Sequence, residues 1–425
     1  MRRLALGALA LLLILVVLAA LVWQFGVRDR DDASVSQAEP VPAPALQAKG
    51  EYLARAGNCM LCHTARGGKP YAGGRAIGTP FGTVFSSNLT PDVASGLGAW
   101  SAAQFWRALH HGRSRDGRLL APVFPYTSYA QVTREDSDAL FAFLRNQSAV
   151  AQTNKPHALR WPYGTQWALA VWRALFFRPE VFTPEPSRDA AWNRGAYLVR
   201  GLGHCDACHS PRNLLGAEDS SLDLAGGAIP MQNWYAPSLL RADQAGVADW
   251  DEQQVVHLLK TGIAARGSVS GPMAEVVLHS TQYLSQQDLL AIATYLKELP
   301  ATPSISGVPP QAQSSNPGSM LGAGIYKDRC AQCHGEQGQG VLGAYPALAG
   351  NRAVVLATPV NLIQIVLRGG YAPATAGNPR PFGMPPYQVM LSSGEVAAVL
   401  THIRSAWGNQ AGPVFDLDVE RARAH

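Results

Sequence analysis

The sequence predicts an all-α protein: three tandem helical domains of one design behind an N-terminal transmembrane helix. Three observations lead there. Residues 4–22 are apolar without interruption. The pattern C-x-x-C-H occurs three times and uses all six cysteines. The same order of helix signals then recurs around each copy. Composition agrees with compact domains. Hydrophobic residues make up 47% of the 425 and charged residues only 15%, below the usual quarter. This excludes a disordered chain, a coiled coil and a disulfide-rich miniprotein. The 41 Gly and 30 Pro point to loop-rich domains that cover something large and apolar. The net charge of +5, with no dense basic run, gives no case for nucleic-acid binding.

The N-terminal run follows Arg2 and Arg3 and nearly reaches the roughly 20 residues that span a bilayer. Trp23 and Phe25 fall where an interfacial aromatic belt would lie. The basic start keeps the N-terminus in the cytoplasm and exports the rest. An uncleaved anchor over 1–27 is the reading taken. The alternative is a signal peptide cleaved after Val17-Leu18-Ala19 or Leu18-Ala19-Ala20. Either way the bulk of a bacterial chain lies in the periplasm, on the outer side of the inner membrane. Residues 28–46 carry a Pro/Ala-rich tether, semi-rigid and without structure of its own.

The cysteines supply the chemistry. Cys59, Cys62 and His63 form the first copy, Cys205, Cys208 and His209 the second, Cys330, Cys333 and His334 the third. Cysteines three apart lie on one side of a helical turn, so both sulfurs can add to the vinyl groups of one porphyrin. The adjacent His then faces the iron as its proximal ligand. C-x-x-C-H is the attachment signature of c-type haem. A redox dithiol would need no His in every copy. A zinc site would gather two Cys pairs, and these lie 146 and 125 residues apart. Three covalent haem c groups are expected.

A repeat surrounds each motif. Gly50 with Tyr52, Gly195 with Tyr197 and Gly324 with Tyr326 mark a helix entering each haem turn. Amphipathic helices over 100–112, 250–262 and 358–369 stop at Gly112, Gly262 and Gly369. Final helices open with capping boxes pairing Thr133 with Asp136, Ser285 with Asp288 and Ser392 with Glu395. Their core faces carry Leu140, Phe143 and Leu144, then Leu289, Ile292, Tyr295 and Leu296, then Val396, Val399, Leu400 and Ile403. Each unit reads as a small all-α cytochrome c domain, with haem supplying the centre that about 100 residues alone would fill poorly. The domains are placed at 47–150, 188–300 and 319–410, with linkers at 151–187 and 301–318 and a tail at 411–425. The first linker holds Trp161, Trp167, Trp172, Phe176 and Phe177. It is too apolar for free solvent and is expected to pack on a domain or a partner.

Cytochromes c usually take Met as the sixth iron ligand. The loop between the second and third helices offers Met273 in domain two and Met384 in domain three. Met390 is a weak rival, and Met231 and Met320 read as plain apolar residues. Domain one breaks the pattern, because Phe124 occupies the Met slot. Met60 sits within the attachment turn on the proximal side. The first haem is therefore expected to be five-coordinate, or to take water, His110 or His111, and to have the lowest potential. Arg75, Tyr126 and Arg212 are candidate partners of haem propionates, against surface solvation as the plainer reading. Gly338, Gly340 and Gly343 fit a dinucleotide fingerprint, but they follow a haem turn rather than a strand, so that reading is rejected.

Several stretches resemble the triheme cytochrome c subunit of periplasmic membrane-bound dehydrogenases of the alcohol, gluconate, sorbitol and aldehyde types. Domain one contributes Thr79-Pro80-Phe81-Gly82-Thr83, Ser87-Asn88-Leu89-Thr90-Pro91-Asp92 and Pro125-Tyr126-Thr127-Ser128-Tyr129. Domain two contributes His204-Cys205, His209-Ser210-Pro211-Arg212-Asn213 and Gly271-Pro272-Met273-Ala274-Glu275. Domain three contributes Tyr345-Pro346-Ala347-Leu348 and Trp407-Gly408-Asn409. Phe124 departs from the alcohol dehydrogenase pattern and is similar to cytochrome subunits paired with molybdenum-type aldehyde or N-heterocycle oxidoreductases. The resemblance implies an electron-transfer subunit, not catalytic alone. It would take electrons from a dehydrogenase subunit (molybdenum-type, quinoprotein or flavoprotein) and pass them to quinone, a terminal oxidase or another cytochrome. Alternatives are a peroxidase or a ligand sensor using an open first haem. A peroxidase needs a polar distal acid or base, whereas Val123, Phe124 and Pro125 are apolar. A sensor would need an output module, and none is recognisable in the sequence.

Overall fold

The computed structural model describes residues 2–27, 43–302 and 317–424. The chain divides into two compact units. One comprises residues 1–184 with 200–204 and 212–217, the other the remainder. Most of the expected tether (28–42) and of the second linker (303–316) lies outside the described residues.

The first unit opens with α1 (Arg2–Val22), which runs into a π turn at Trp23–Val27. It is the one helix among the described residues long and apolar enough to cross a membrane. Then come α2 (Ala43–Ala56), the attachment turn α3 (Cys59–Cys62), strands β1 (Ala76–Thr79) and β2 (Gly82–Phe85), α4 (Ala102–His111), α5 (Tyr126–Tyr129), α6 (Arg134–Arg145), β3 (Ala158–Leu159) and α7 (Gln166–Phe176). The second unit holds two further sets. The first is α8 (Ala190–Ala196), extended by a π turn at Tyr197–Leu202 whose residues 200–202 count with the first unit, then α9 (Asp206–His209), β4 (Gly227–Ile229), β5 (Trp234–Ala236), α10 (Glu252–Thr261), β6 (Ile263–Ala264), β7 (Gly267–Ser268), α11 (Pro272–His279) and α12 (Gln286–Lys297). The second is α13 (Pro317–Arg329), α14 (Ala331–His334), α15 (Arg352–Val355), α16 (Val360–Arg368), β8 (Gly370–Tyr371), β9 (Gly383–Met384), α17 (Ser393–Ser405) and α18 (Asp416–Arg423).

In each set the helix before the attachment turn crosses a later one, α2 on α6, α8 on α12 and α13 on α17, and glycine makes the crossing close. A Cβ on Gly50 would overlap the Ala139 carbonyl of α6, and one on Gly195 the Ala291 carbonyl of α12. In the third set the crossing residue is Gly322, against the Ala398 carbonyl, not Gly324, around which there is open space. Aligning the three copies on their tyrosines picks the wrong glycine, because the tyrosine does not mark the helix contact. Overpacking a tight contact costs about 1–3 kcal/mol, whereas Gly to Ala in an open helix interior gains about 0.5–1 kcal/mol. We therefore expect Gly322→Ala to lower the urea midpoint and Gly324→Ala to raise it. Equal shifts would contradict the crossing.

Of the expected helix bodies, Leu140, Leu144, Leu289, Ile292, Tyr295, Val396, Val399, Leu400 and Ile403 are buried, while Phe143 and Leu296 are half-buried. The stops at Gly112, Gly262 and Gly369 all have positive φ. Of the capping boxes, only Ser392 and Glu395 close reciprocally. Thr133 and Ser285 accept from the Asp136 and Asp288 N–H groups, but the shorter Asp side chains turn instead to the first helix. Asp136 pairs with Lys49 at 2.6 Å and Asp288 with Arg194 at 2.8 Å.

Four departures from expectation have physical causes. The fold is not purely helical: short antiparallel ladders join β1–β2–β3, β4–β5, β6–β7 and β8–β9. Their strands, two to four residues long, are too short to leave a period-two pattern, and β3 joins β2 from far along the chain. Residues 43–46 of the tether already belong to α2. The first linker becomes β3 and α7, part of the first unit. Gln166 bonds both backbone groups of Leu119, while Phe177 and Trp172 pack on Tyr126. The tail forms α18, which buries Val419 and Ala422 in the third core; its charged sequence hides that stripe.

Candidate haem sites

The three attachment turns share one hydrogen-bond frame. The backbone carbonyl of His63 accepts from Gly73 N–H at 2.7 Å, that of His209 from Gly226 at 2.6 Å, and that of His334 from Gly340 at 2.8 Å. All three glycines have positive φ. Two residues before each stands a left-handed residue: Tyr71, Leu224 or Gly338. Its carbonyl accepts from Leu89, Leu239 or Leu348 N–H at 2.8, 2.9 and 2.7 Å. A Cβ on Gly73, Gly226 or Gly340 would strike the segment containing that leucine.

The frame sets the imidazoles. His63 Nδ1 lies 2.7 Å from the Ser87 carbonyl, His209 Nδ1 2.7 Å from that of Pro237, and His334 Nδ1 2.9 Å from that of Pro346. A carbonyl only accepts, so Nδ1 carries the proton and Nε2 keeps a lone pair. Burial pulls all three rings below the usual histidine range and favours that neutral form. Orienting a ligand His through its other ring nitrogen is how proteins fix a metal-binding imidazole. The sequence reading does not identify these acceptors, though a signal exists: each stands two residues before a leucine, in Ser87-Asn88-Leu89, Pro237-Ser238-Leu239 and Pro346-Ala347-Leu348.

Beside each His, both cysteines lie on one short turn, and none of the six is in a disulfide. Burial pushes the Cys59 and Cys205 thiols up to about 12 and Cys330 to about 11. A redox dithiol relies on a lowered thiol pKa, so these turns do not suit that role. Paired thiols and an oriented Nε2 lone pair fit a covalently held haem.

The first two candidate ligand loops share a register. Leu120 N–H bonds the carbonyl of the helix stop Gly112, and Val269 N–H that of Gly262, both at 2.8 Å. Four residues further on stand Phe124 and Met273. Met384 sits on β9, paired with Gly370 just after the third stop, and is half-buried against the α13–α16–α17 core. Met231, Met320 and Met390 are exposed. Phe124 lies 5.4 Å from the Tyr129 ring, whose hydroxyl donates to the Gly57 carbonyl at 3.0 Å. His110 is buried, stacked on Trp106 at 4.5 Å with Nδ1 2.6 Å from the Ala130 carbonyl. His111 is buried edge-on beside it. Arg75 bonds the Leu61 carbonyl inside the first attachment turn at 2.9 Å, and Arg212 bonds that of Gly216 at 2.8 Å. Tyr126 is fully buried beneath α7. The glycines at 338–343 form a turn-rich loop after α14, with no strand before it.

Comparison with known proteins agrees with this frame. The Cytochrome c family model matches residues 47–148 and 319–407. The chain is 42% identical over 395 residues to the cytochrome c subunit of a quinone alcohol dehydrogenase from Gluconacetobacter polyoxogenes, covering 89% of this chain and 84% of that protein. It belongs to the family of dehydrogenase cytochrome c subunits. As a cytochrome c subunit it carries covalently bound haem c and transfers electrons within a dehydrogenase complex. It is also 40% identical to the gluconate 2-dehydrogenase cytochrome c subunit of Pantoea cypripedii, over 86% of this chain and 87% of that protein. A nicotinate dehydrogenase subunit from Pseudomonas putida is 41% identical over 85% of this chain and 30% of its own length.

Proposed function

We propose that this cytochrome c subunit is a membrane-anchored, periplasmic three-haem conductor. It takes electrons from the catalytic subunit of a dehydrogenase and delivers them to quinone, a terminal oxidase or another cytochrome. The observation that carries the reading is the threefold frame of Cys pair, His, glycine and backbone acceptor. Cys59 and Cys62, Cys205 and Cys208, and Cys330 and Cys333 hold the three groups; His63, His209 and His334 bind from one side. Haem supplies the one-electron chemistry. Met273 and Met384 complete the second and third sites, and thioether ligation raises their potentials. Phe124 leaves the first site without a side-chain ligand, so its potential is the lowest. The relatives named for alcohol, gluconate and nicotinate dehydrogenases support a dehydrogenase donor; its type, molybdenum, quinoprotein or flavoprotein, follows only from the sequence resemblance.

Counting haem tests the proposal. The pyridine haemochrome of the purified chain is expected to give three haems per polypeptide. Changing Cys205 and Cys208 together to Ala should leave two. A count of two in the unaltered chain would remove the three-site reading.

A further inference from the structure

We propose that α7 is an interfacial helix that lies in the lipid headgroup region where the anchor leaves the bilayer. The inference rests on the membrane-anchor reading above. Within the first unit, α7 buries Leu169, Ala170 and Arg173. Its other side presents Trp167, Val171 and Leu175, spaced four apart and 70%, 37% and 60% exposed. Its one charged residue, Arg173, is buried, so the exposed stripe contains no charge. A helix face meeting water normally carries charged residues opposite its core face. Trp at the edge of an apolar stripe is the usual composition of a headgroup contact.

The geometry says what covers this stripe. The last turn of the anchor is clamped to α7: a Cβ on Gly26 would overlap the Ala170 carbonyl, and Val22 packs with Leu169 and Ala170. Arg173 bonds the Gly26 carbonyl at 3.2 Å and that of His111 at 2.6 Å, and Arg113 bonds the Val27 carbonyl. These guanidinium groups satisfy carbonyls that a helix end otherwise leaves without partners. A helix fixed to the end of a membrane span sits at the depth of that end. Arg178, over the Phe25 ring at 4.6 Å, adds a cation at the same level. The stripe thus continues the apolar surface of the span, and a bilayer is the surface it fits.

The test uses the full holoprotein in phospholipid vesicles, with bimane attached to one introduced cysteine at a time. Leu13→Cys reports the span, Leu175→Cys the stripe, and Glu135→Cys, exposed on α6, the water. Spin-labelled lipids quench at shallow or deep positions. The Leu175 label is expected to lose about half its emission to the shallow quencher, the Leu13 label to be quenched most by the deep one, and the Glu135 label by neither. A quenched Leu13 label beside an unquenched Leu175 label overturns the interfacial helix while leaving the anchor. An unquenched Leu13 label overturns the anchor and the proposal with it. Shielding of the Leu175 label from iodide only when a dehydrogenase subunit is added, without lipid quenching, assigns the stripe to a protein and also overturns the proposal.

Discussion

Replacing Phe124 with Met is expected to convert the first haem to His–Met coordination. The readouts are a new Met-to-iron charge-transfer band in the oxidised protein and a rise of the lowest of the three potentials by on the order of 100 mV, within the wide range axial ligands command. The register makes the substitution specific. Leu120 N–H bonds the Gly112 carbonyl as Val269 N–H bonds that of Gly262, both at 2.8 Å, and Phe124 and Met273 each follow four residues later, although the first loop is one residue longer. On the proposed ligand set, Phe124 stands where Met273 stands. Met is no bulkier than Phe and more flexible, so packing against Tyr129 costs little. His110 is the control. Its Nδ1 is held by the Ala130 carbonyl and its ring stacks on Trp106, so only Nε2 could reach an iron; with the first site lacking a side-chain ligand, His110→Gln should leave the spectrum of the first haem unchanged, and a changed spectrum would make His110 that ligand. A Met-type band that persists when Met273→Leu and Met384→Leu are combined in one chain would show that the first haem already has such a ligand.

The reason Phe124 is legible in the sequence also explains what is not. The attachment turns, the helix stops and the apolar helix faces are local patterns, fixed by residues within one or two turns of each other. Positive-φ glycines and Cys pairs announce themselves at that range. The acceptors of the His side chains are 24, 28 and 12 residues away and are backbone carbonyls, which no side-chain identity marks. Gly322 escapes the repeat pattern because a helix crossing is defined by the partner helix, not by the tyrosine that follows. Tyr126 reads as a possible surface contact only while the aromatic linker is not known to be a helix covering it. In the tail, Val419 and Ala422 stand among charges and beside the exposed Phe415 and Leu417, so the sequence does not say which apolar residues turn inward; burial there is decided by α16 and α17.

The backbone frame also predicts how much each part of a site contributes. His334→Ala should remove the low-spin signal of one haem in three, because Met384 alone gives the iron a weak field. Imidazole added in solution should restore it by entering the space the side chain vacates. Gly340→Ala acts on the same site at one remove. Its Cβ would meet the Tyr345 carbonyl, Ala347 N and the Pro346 carbonyl carbon, the last belonging to the group that accepts from His334 Nδ1. Shifting that acceptor weakens the hydrogen bond and makes the imidazole a poorer donor. The third haem should then stay low-spin but rise in potential, and the protein should lose about 1–3 kcal/mol of stability from the backbone clash. The two variants separate ligation from orientation: imidazole rescues the first and leaves the second unchanged. If Gly340→Ala destabilised the protein without moving the potential, the Pro346 carbonyl would be holding the ring in place without tuning the iron.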